Sequence, residues 1–437
     1  MSFHELAARV IASGLCTRCG LCAGVCPVRV IVLDGENYPI LRGDCTECGL
    51  CVRCCPGAEV DFPGLWEQIF HCEHDADTLH GHVENRFVAH ARSDSVRTAG
   101  TSGGVVSALL IHLLEKNRID GAVVAAFDPD NPCRMKGVLA TTPEEIQRGA
   151  GSKYCLTSSL EALQLIRRRR GRYAVVGLPC QVQGLRKMAV ADPSLGRKIH
   201  CIFGLYCHCN MEPRVLLDVV RTCNIDPEEV ARFDFRGGGW PGGFHVRLKD
   251  GRSIPLHTTH YTTILNILFK IYGARRCYLC IDALSEYADL SFGDFWAHDY
   301  SDDLARHTRC TLVSQRTAKG LRILRRAEEE GAVVLHALSP ERDSKRIAGM
   351  VRGKKNRSWI RIARRRKRGE PHPRYHLPPP APSSKARRGE LLLRLFFCCR
   401  RPWTRKLILK FLFSRLGSAY EKVNLFRKKI FCNYHGN

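Results

Sequence analysis

No stretch of the 437 residues stays apolar for the roughly 18 positions that a membrane-spanning helix needs. The N-terminal Met1-Ser2-Phe3-His4-Glu5-Leu6 has neither the basic start nor the apolar stretch of a secretory leader, which points to a reducing cytoplasm. Acidic residues run short at one end only: residues 351–437 hold three, Glu370, Glu390 and Glu421, against 25 Lys and Arg. That segment carries most of the formal net charge of +25, and what precedes it is nearly neutral. A basic tail on a neutral body argues against nucleic-acid binding by the whole protein. Hydrophobic residues at 44% exclude wholesale disorder, and the length suits about three domains.

Cysteine is abundant, with 23 in the chain, and in a reducing compartment cysteines are metal ligands before they are disulfides. Residues 16–27 read CTRCGLCAGVCP and residues 45–56 read CTECGLCVRCCP, a repeat of C-x2-C-x2-C-x3-C-P. Three thiolates at this spacing wrap three corners of an iron–sulfur cube, and the cysteine before proline ligates the other cluster. The spacing therefore predicts two [4Fe–4S] clusters. One is held by Cys16, Cys19, Cys22 and Cys55, the other by Cys45, Cys48, Cys51 and Cys26, with Cys54 a bystander. Zinc rarely uses such a Pro-terminated quartet twice. Over residues 8–60 the chain resembles the bacterial two-cluster ferredoxin module, which implies one-electron transfer in a domain spanning 1–65.

Residues 63–90 show no clear period and read as a linker, within which His71, Cys72 and His74 read as a lone thiol among solvated histidines sooner than as a metal site. Next, Thr101-Ser102-Gly103-Gly104 feeds Val105, Leu109, Leu110, Leu113 and Leu114, a helical period. The start of such a helix offers unpaired N–H groups and a positive dipole to a phosphate. Gly121–Phe127 and Tyr173–Gly177 read as buried strands, so the body is expected to be α/β or α+β. Cys180, Cys207, Cys277 and Cys280 stand apart from the repeats, the first two at strand ends and the others in a C-x2-C. Their spacing allows a third cluster, a zinc ion or unliganded buried thiols.

TSGGVVSALL at 101–110, GSKY at 151–154, GLPCQ at 177–181, FRGGGWPGG at 235–243, CYLCID from 277 and ADLSFGD ending at 294 occur in one order. Over residues 85–345 the chain is thereby similar to the coenzyme F420 hydrogenase/dehydrogenase beta-subunit family, in an N-terminal part, 85–170, and a C-terminal part, 171–345. The resemblance implies an α+β protein in which an α/β flavoprotein core follows the ferredoxin module. It implies FAD, a hydride taken from reduced coenzyme F420, and single electrons passed to a redox protein or a reductase partner. Flavin is the part that joins a two-electron carrier to one-electron clusters. Carried onto this sequence, it implies FAD contacts from Thr101, Ser102, Gly103, Gly104, Lys153, Tyr154, Gln181, Arg236 and Trp240. A third [4Fe–4S] cluster is implied on Cys180, Cys207, Cys277 and Cys280, with Cys209 the substitute for Cys207. No catalytic side chain is implied, and Asp289 and Asp294 read as structural. Relatives of the family act on chlorophyll-type pigments, so a different reductant or substrate is the alternative, as is a flavin-free electron-transfer adaptor.

The basic tail, 351–437, has no counterpart in that pattern. HPRYHLPPPAPSS at 372–384 reads as a stiff spacer. Leu407, Ile408, Phe411, Leu412 and Leu416 with Arg405, Lys406, Lys410 and Arg415 suggest a basic amphipathic helix for an anionic membrane surface or an acidic partner. Cys398, Cys399 and Cys432 are candidates for lipidation or free thiols.

Overall fold

The computed structural model describes the chain apart from residues 76–77, 132, 258–260, 298–302, 340–344, 415, 418 and 421–437. The two cysteine repeats fold alike. Each places a left-handed residue, Arg18 or Glu47, before a left-handed glycine, Gly20 at φ 80° or Gly49 at φ 72°, which starts a helical turn over Leu21–Val25 or Leu50–Arg53. Glycine adopts positive φ without steric cost. At Gly20 a side chain would also collide with the core, because a Cβ would lie 2.6 Å from the Ser158 carbonyl oxygen. Strands β1 (Ile31–Leu33) and β2 (Pro39–Leu41) form an antiparallel hairpin between the repeats.

Seven-residue β3 (Asn85–Ala91) begins the body, followed by β4 (Gly121–Phe127), β5 (Met135–Ala140), β6 (Tyr173–Gly177) and β7 (Ile199–Leu205). Then β8 (Val230–Gly237), β9 (Gly243–Leu248) and β10 (Ser253–His257) make a separate antiparallel sheet. Last come β11 (Leu290–Phe295), β12 (Cys310–Gln315) and β13 (Val333–Leu338). The main sheet runs β13-β3-β12-β11-β7-β6-β4-β5, parallel from β11 to β4 and antiparallel toward both edges. The strands expected at 121–127 and 173–177 are β4 and β6. Residues 85–170 and 171–345 contribute to this one sheet.

Side chains alternate across a strand, and here the alternation sorts two cores. Val123, Val175 and Ile202 face the ferredoxin module and the helix Pro179–Ala191, packing with Leu21, Val182, Leu185 and Met188. Ala122, Val124, Ala174, Cys201 and Phe203 face the helices Val105–Glu115 and Ala318–Glu329. The architecture is mixed α/β with an N-terminal ferredoxin-like domain, and polar contacts fasten that domain to the body. Ser158 Oγ donates to Arg18 O (2.9 Å), Leu160 N to Cys19 O (3.1 Å), and Lys187 Nζ to Cys55 O (2.6 Å) and Glu59 O (2.7 Å).

Two expectations need correction. Residues 63–90 are not all linker: Asp61 caps a helix over Phe62–Phe70 by accepting from Gly64 N, with Pro63 in its first turn, and β3 begins at Asn85. The tail is not merely tethered. Helix Lys345–Lys367 buries Ile347, Val351 and Ile362, and its span crosses the expected boundary at 351. The stretch expected to be a spacer lies across the ferredoxin domain, where Val60 N donates to Arg374 O (2.9 Å) and Arg374 N to Ala58 O (2.9 Å). Tyr375 is buried there, edge-on to Phe62. The helix Pro402–Leu412 in turn buries Leu409 and Leu412, and Arg405 pairs with Glu212 at 3.5 Å. Arg415 and Cys432 lie outside the described residues.

If helix Lys345–Lys367 is part of the folded body, Ile362→Ala lowers unfolding stability by about 2–5 kcal/mol in chemical denaturation. Leu407→Ala, on an exposed position, changes it by less than about 0.5 kcal/mol. A solvated tail would make both substitutions silent.

Candidate functional site

The cysteines gather in three groups. In the first, burial pushes the Cys16 thiol up to about 12, with Cys55 and Cys19 adding to the rise. Cys22 is driven up by burial and by Cys16, Cys19, Cys55 and Cys51. In the second, burial raises Cys51 to about 12, and Cys45, Cys48 and Cys26 push the same way. Cys26, Cys45, Cys48 and Cys51 line one cavity with Phe3, Val28, Ile31 and Leu50. Cys55 thus sits with the first repeat and Cys26 with the second. Cys54 is fully buried, and burial pushes its thiol up to about 12 against the pull of Lys187 and Arg53.

Cys180, Cys207, Cys277 and Cys280 come together although almost a hundred residues separate the first from the last. Cys180 sits in the first turn of helix Pro179–Ala191 at the end of β6, Cys207 follows β7, and Cys277 and Cys280 lie on a 3-10 turn, Arg275–Leu279, and its cap. They line a second cavity with Cys16, Thr17, Arg276, Lys354 and Tyr375. Burial drives Cys180 well above the usual thiol range, and Cys19, Cys280, Cys277 and Cys207 reinforce it. Cys207 rises to about 12 through burial, against the pull of Lys354. Cys209 shares a hydrogen bond with Cys277 that raises its own pKa and lowers that of Cys277. It lines the same cavity as the other four cysteines.

Buried thiols that repel one another as thiolates suit a cationic metal centre, whose charge stabilises the deprotonated ligands. Among the described residues no three His, Cys, Asp or Glu groups converge on a single metal ion, those around His71, Cys72 and His74 included. The second and third quartets ring cavities instead.

The residues implied for FAD divide. Thr101 Oγ1 and Ser152 Oγ lie 2.8 Å apart, and Tyr154 hydrogen-bonds Ser152 and Arg236. Arg236 donates to Asp294 Oδ2 (2.7 Å) and to Pro241 O (3.1 Å), and its guanidinium lies 4.9 Å from the Trp240 ring. Trp296 packs on Trp240 at 5.2 Å. Ser102 Oγ contacts Thr311 Oγ1 at 3.0 Å, and Gly103 N donates to that oxygen at 2.9 Å. Gly104 precedes helix Val105–Glu115 with no side chain capping it. Thr101, Ser102, Tyr154, Arg236 and Trp240 therefore share one face of the molecule, with Asp294 as the anchor of Arg236.

Lys153 and Gln181 are occupied differently. Lys153 Nζ donates to Gly149 O (2.7 Å), Ala150 O (3.3 Å) and Gly151 O (3.0 Å), while burial and Arg232 draw its pKa down to about 7. Gln181 accepts from Leu178 N and donates to Thr157 O and Ser159 Oγ, which spends its amide on closing the cysteine cavity rather than on the face beside Arg236. Asp289 is structural. Burial opposes its ionisation, but Arg186, Lys319 and the Ile202 N–H outweigh it and hold its pKa below the usual range. Sequence reasoning missed Lys354 and Tyr375 because only the fold brings the tail to these cysteines.

Known families match most of the chain. The "4Fe-4S dicluster domain" matches residues 9–57. The family described as "Coenzyme F420 hydrogenase/dehydrogenase, beta subunit" matches in two parts, its N-terminal part over 86–164 and its C-terminal part over 170–341. The coenzyme F420 hydrogenase subunit beta of Methanococcus voltae is 29% identical over 50% of this chain and 75% of that protein. A subunit of the F(420)H(2) dehydrogenase of Methanosarcina mazei is 27% identical over 67% of this chain and 79% of its own length. A solved chain of the F420-reducing [NiFe] hydrogenase complex from Methanosarcina barkeri covers 70% of this chain and 99% of its own length, with a TM-score of 0.54 at 23% identity.

The grouping predicts that Cys19→Ala, Cys55→Ala and Cys280→Ala each lower iron content by about four atoms per chain. Cys54→Ala leaves it unchanged. Iron and acid-labile sulfide assays on anaerobically reconstituted protein check this.

Proposed function

The chain belongs to the coenzyme F420 hydrogenase/dehydrogenase beta-subunit family of iron–sulfur oxidoreductases, and from that premise we propose that it carries electrons between reduced coenzyme F420 and a one-electron redox protein. Three [4Fe–4S] clusters, on the cysteine quartets described, and FAD are the groups it would use. Bound FAD supplies the exchange between a hydride and single electrons.

The observation that carries this reading is the serial order of the cysteine groups. Cys180 of the third group neighbours Cys19 of the first, and Cys16 lines the third cavity. Cys22 and Cys55 of the first neighbour Cys51 of the second. At the far end Cys48 is exposed beside exposed Val28, a surface where a redox partner can approach. At the near end Met211 N donates to Tyr154 O (2.9 Å) and Leu156 N to Met211 O (2.8 Å), so the backbone that carries the Arg236 face pairs directly with the loop after Cys207.

On that face the protein binds and orients. Helix Val105–Glu115 offers its uncapped N–H groups to a diphosphate, and Thr101 and Ser102 add hydroxyls beside it. Arg236, fixed by Asp294, sets a positive charge next to Trp240. Burial raises the Tyr154 pKa, so its phenol stays protonated as a hydrogen-bonding group.

A second reading concerns the tail. Trp403, Leu407 and Phe411 stand four residues apart on helix Pro402–Leu412 and are 61%, 58% and 45% exposed, next to exposed Arg401, Lys406 and Lys410. Leu409 and Leu412, on the other side, are buried in the body, and of the five apolar residues expected for the amphipathic face Leu407, Phe411 and Leu416 remain outward. An aromatic stripe amid cations in a segment with so few acidic groups is complementary to an anionic lipid surface.

Stopped-flow mixing with reduced coenzyme F420 bleaches the flavin of the wild type and then its clusters. In Cys280→Ala the flavin still bleaches, while reduction of the N-terminal clusters is lost or slows by an order of magnitude. An unbleached flavin rejects the donor, and wild-type cluster reduction in Cys280→Ala rejects the series. For the tail, the full chain co-sediments with phosphatidylserine vesicles and is released by salt, and the double variant Trp403→Ser, Leu407→Ser binds weakly. Equal binding by both rejects the lipid surface.

A further inference from the structure

The family match ends at residue 341, yet the helix that follows, Lys345–Lys367, reaches the third cysteine cavity. Three of its residues, spaced i, i+4 and i+7 and so on one side of a helix, bond to the loops that bear these cysteines. Lys354 Nζ donates to Cys207 O (2.6 Å) and to Asp282 O (2.6 Å). Ser358 Oγ donates to Cys280 O (2.8 Å), and Arg361 Nη1 to Tyr278 O (2.9 Å). Arg361 is itself held by Glu390 at 2.6 Å. Tyr375, further along, donates to Leu279 O (2.9 Å) and accepts from Arg276 Nη1 (3.2 Å). Lys354, Arg276 and Tyr375 line the cavity alongside the cysteines.

We propose that Lys354 is a positioning residue of the third cluster: its ammonium, fixed on the carbonyl of Cys207, raises the reduction potential of the cluster held by Cys180, Cys207, Cys277 and Cys280. This rests on the reading that those four cysteines hold a cluster. Taking up one electron adds one negative charge to a cluster, and a cation held nearby in a water-poor cavity stabilises that charge more than it does in water. Lys354 is 5% exposed, so solvent screens it little. Other charged groups face the same cavity and its loops, Arg276, Arg361 and Asp282 among them. Arg276 spends its guanidinium on Gly57 O, Pro56 O and Tyr375, contacts that bind the ferredoxin domain to the cysteine loop. The Asp282 carboxylate opposes Lys354, and its charge is spread over hydrogen bonds from Leu284 N, Glu286 N and Gln183. Only Lys354 among these cations bonds to the carbonyl of a proposed ligand.

The consequence is that the third cluster becomes the better acceptor of electrons leaving the flavin face. The segment supplying this charge lies outside the family's matched residues.

The test is an anaerobic redox titration of the full-length, reconstituted protein, followed by electron paramagnetic resonance, with iron measured on each sample. In Lys354→Gln the reduced-to-oxidised ratio of the third cluster at a fixed potential falls about tenfold, a shift of about 59 mV for a one-electron couple. The two N-terminal clusters keep their midpoints, and Lys354→Arg titrates near the wild type. Full iron with a wild-type midpoint in Lys354→Gln overturns the proposal. Should Lys354→Gln lose the third cluster, Lys354→Arg decides: retention with a near wild-type midpoint upholds the role of the charge, and loss there too overturns it. Wild-type protein with about eight iron atoms rather than about twelve rejects the cluster reading itself, an outcome separate from an unchanged midpoint.

Discussion

Crowded, buried sulfur is the constraint on which this molecule is arranged. A thiol in an apolar setting resists ionisation, and Cys22 and Cys180 carry the further penalty of several neighbouring thiols. Metal binding reverses that balance, because the ligands must be thiolates and the centre brings the compensating charge. The surrounding protein helps in one repeated way. Lys187 caps the carbonyl of Cys55, Arg276 that of Gly57, and Lys354 that of Cys207. In each case a long cationic side chain reaches from another part of the chain to a backbone oxygen at or beside a cysteine, fixing the loop and adding positive charge.

The mixed sheet makes this placement possible. Its parallel strands end together, so β6 delivers Cys180 and β7 delivers Cys207 to the same edge, while β11 delivers Asp294 toward Arg236. Ligand sites in open α/β sheets gather at the carboxyl ends of strands for the same geometric reason. One face of the sheet is free to accept the ferredoxin domain because its side chains, Val123, Val175 and Ile202, are apolar.

How much of this could be read from the residues follows from how local each feature is. The ferredoxin repeat was legible because its spacing within a dozen residues carries the chemistry, and β4 and β6 because buried parallel strands are short apolar runs. Helix Phe62–Phe70 escaped notice since Asp61 and Pro63 mark its start in a stretch without a clear period. Gln181 lies within a family motif, but its amide closes the cysteine cavity, a role that depends on Thr157 and Ser159. Composition was least informative about the tail. Its charge reads as a solvated appendage, yet Lys354, Arg361 and Arg405 are committed to carbonyls or carboxylates contributed by distant residues.

The backbone bonds between residues 58–62 and residues 374–375 join the first domain to a strap more than three hundred residues downstream. A ribosome releases the ferredoxin domain long before that strap exists. The first two quartets are complete once Cys55 has emerged, whereas the wall that Lys354 and Tyr375 give the third cavity comes only after synthesis has passed residue 375. Completion of the cysteine cavities is thus ordered by chain position. The two N-terminal quartets come first, and the inner cavity, walled by Lys354 and Tyr375, closes last.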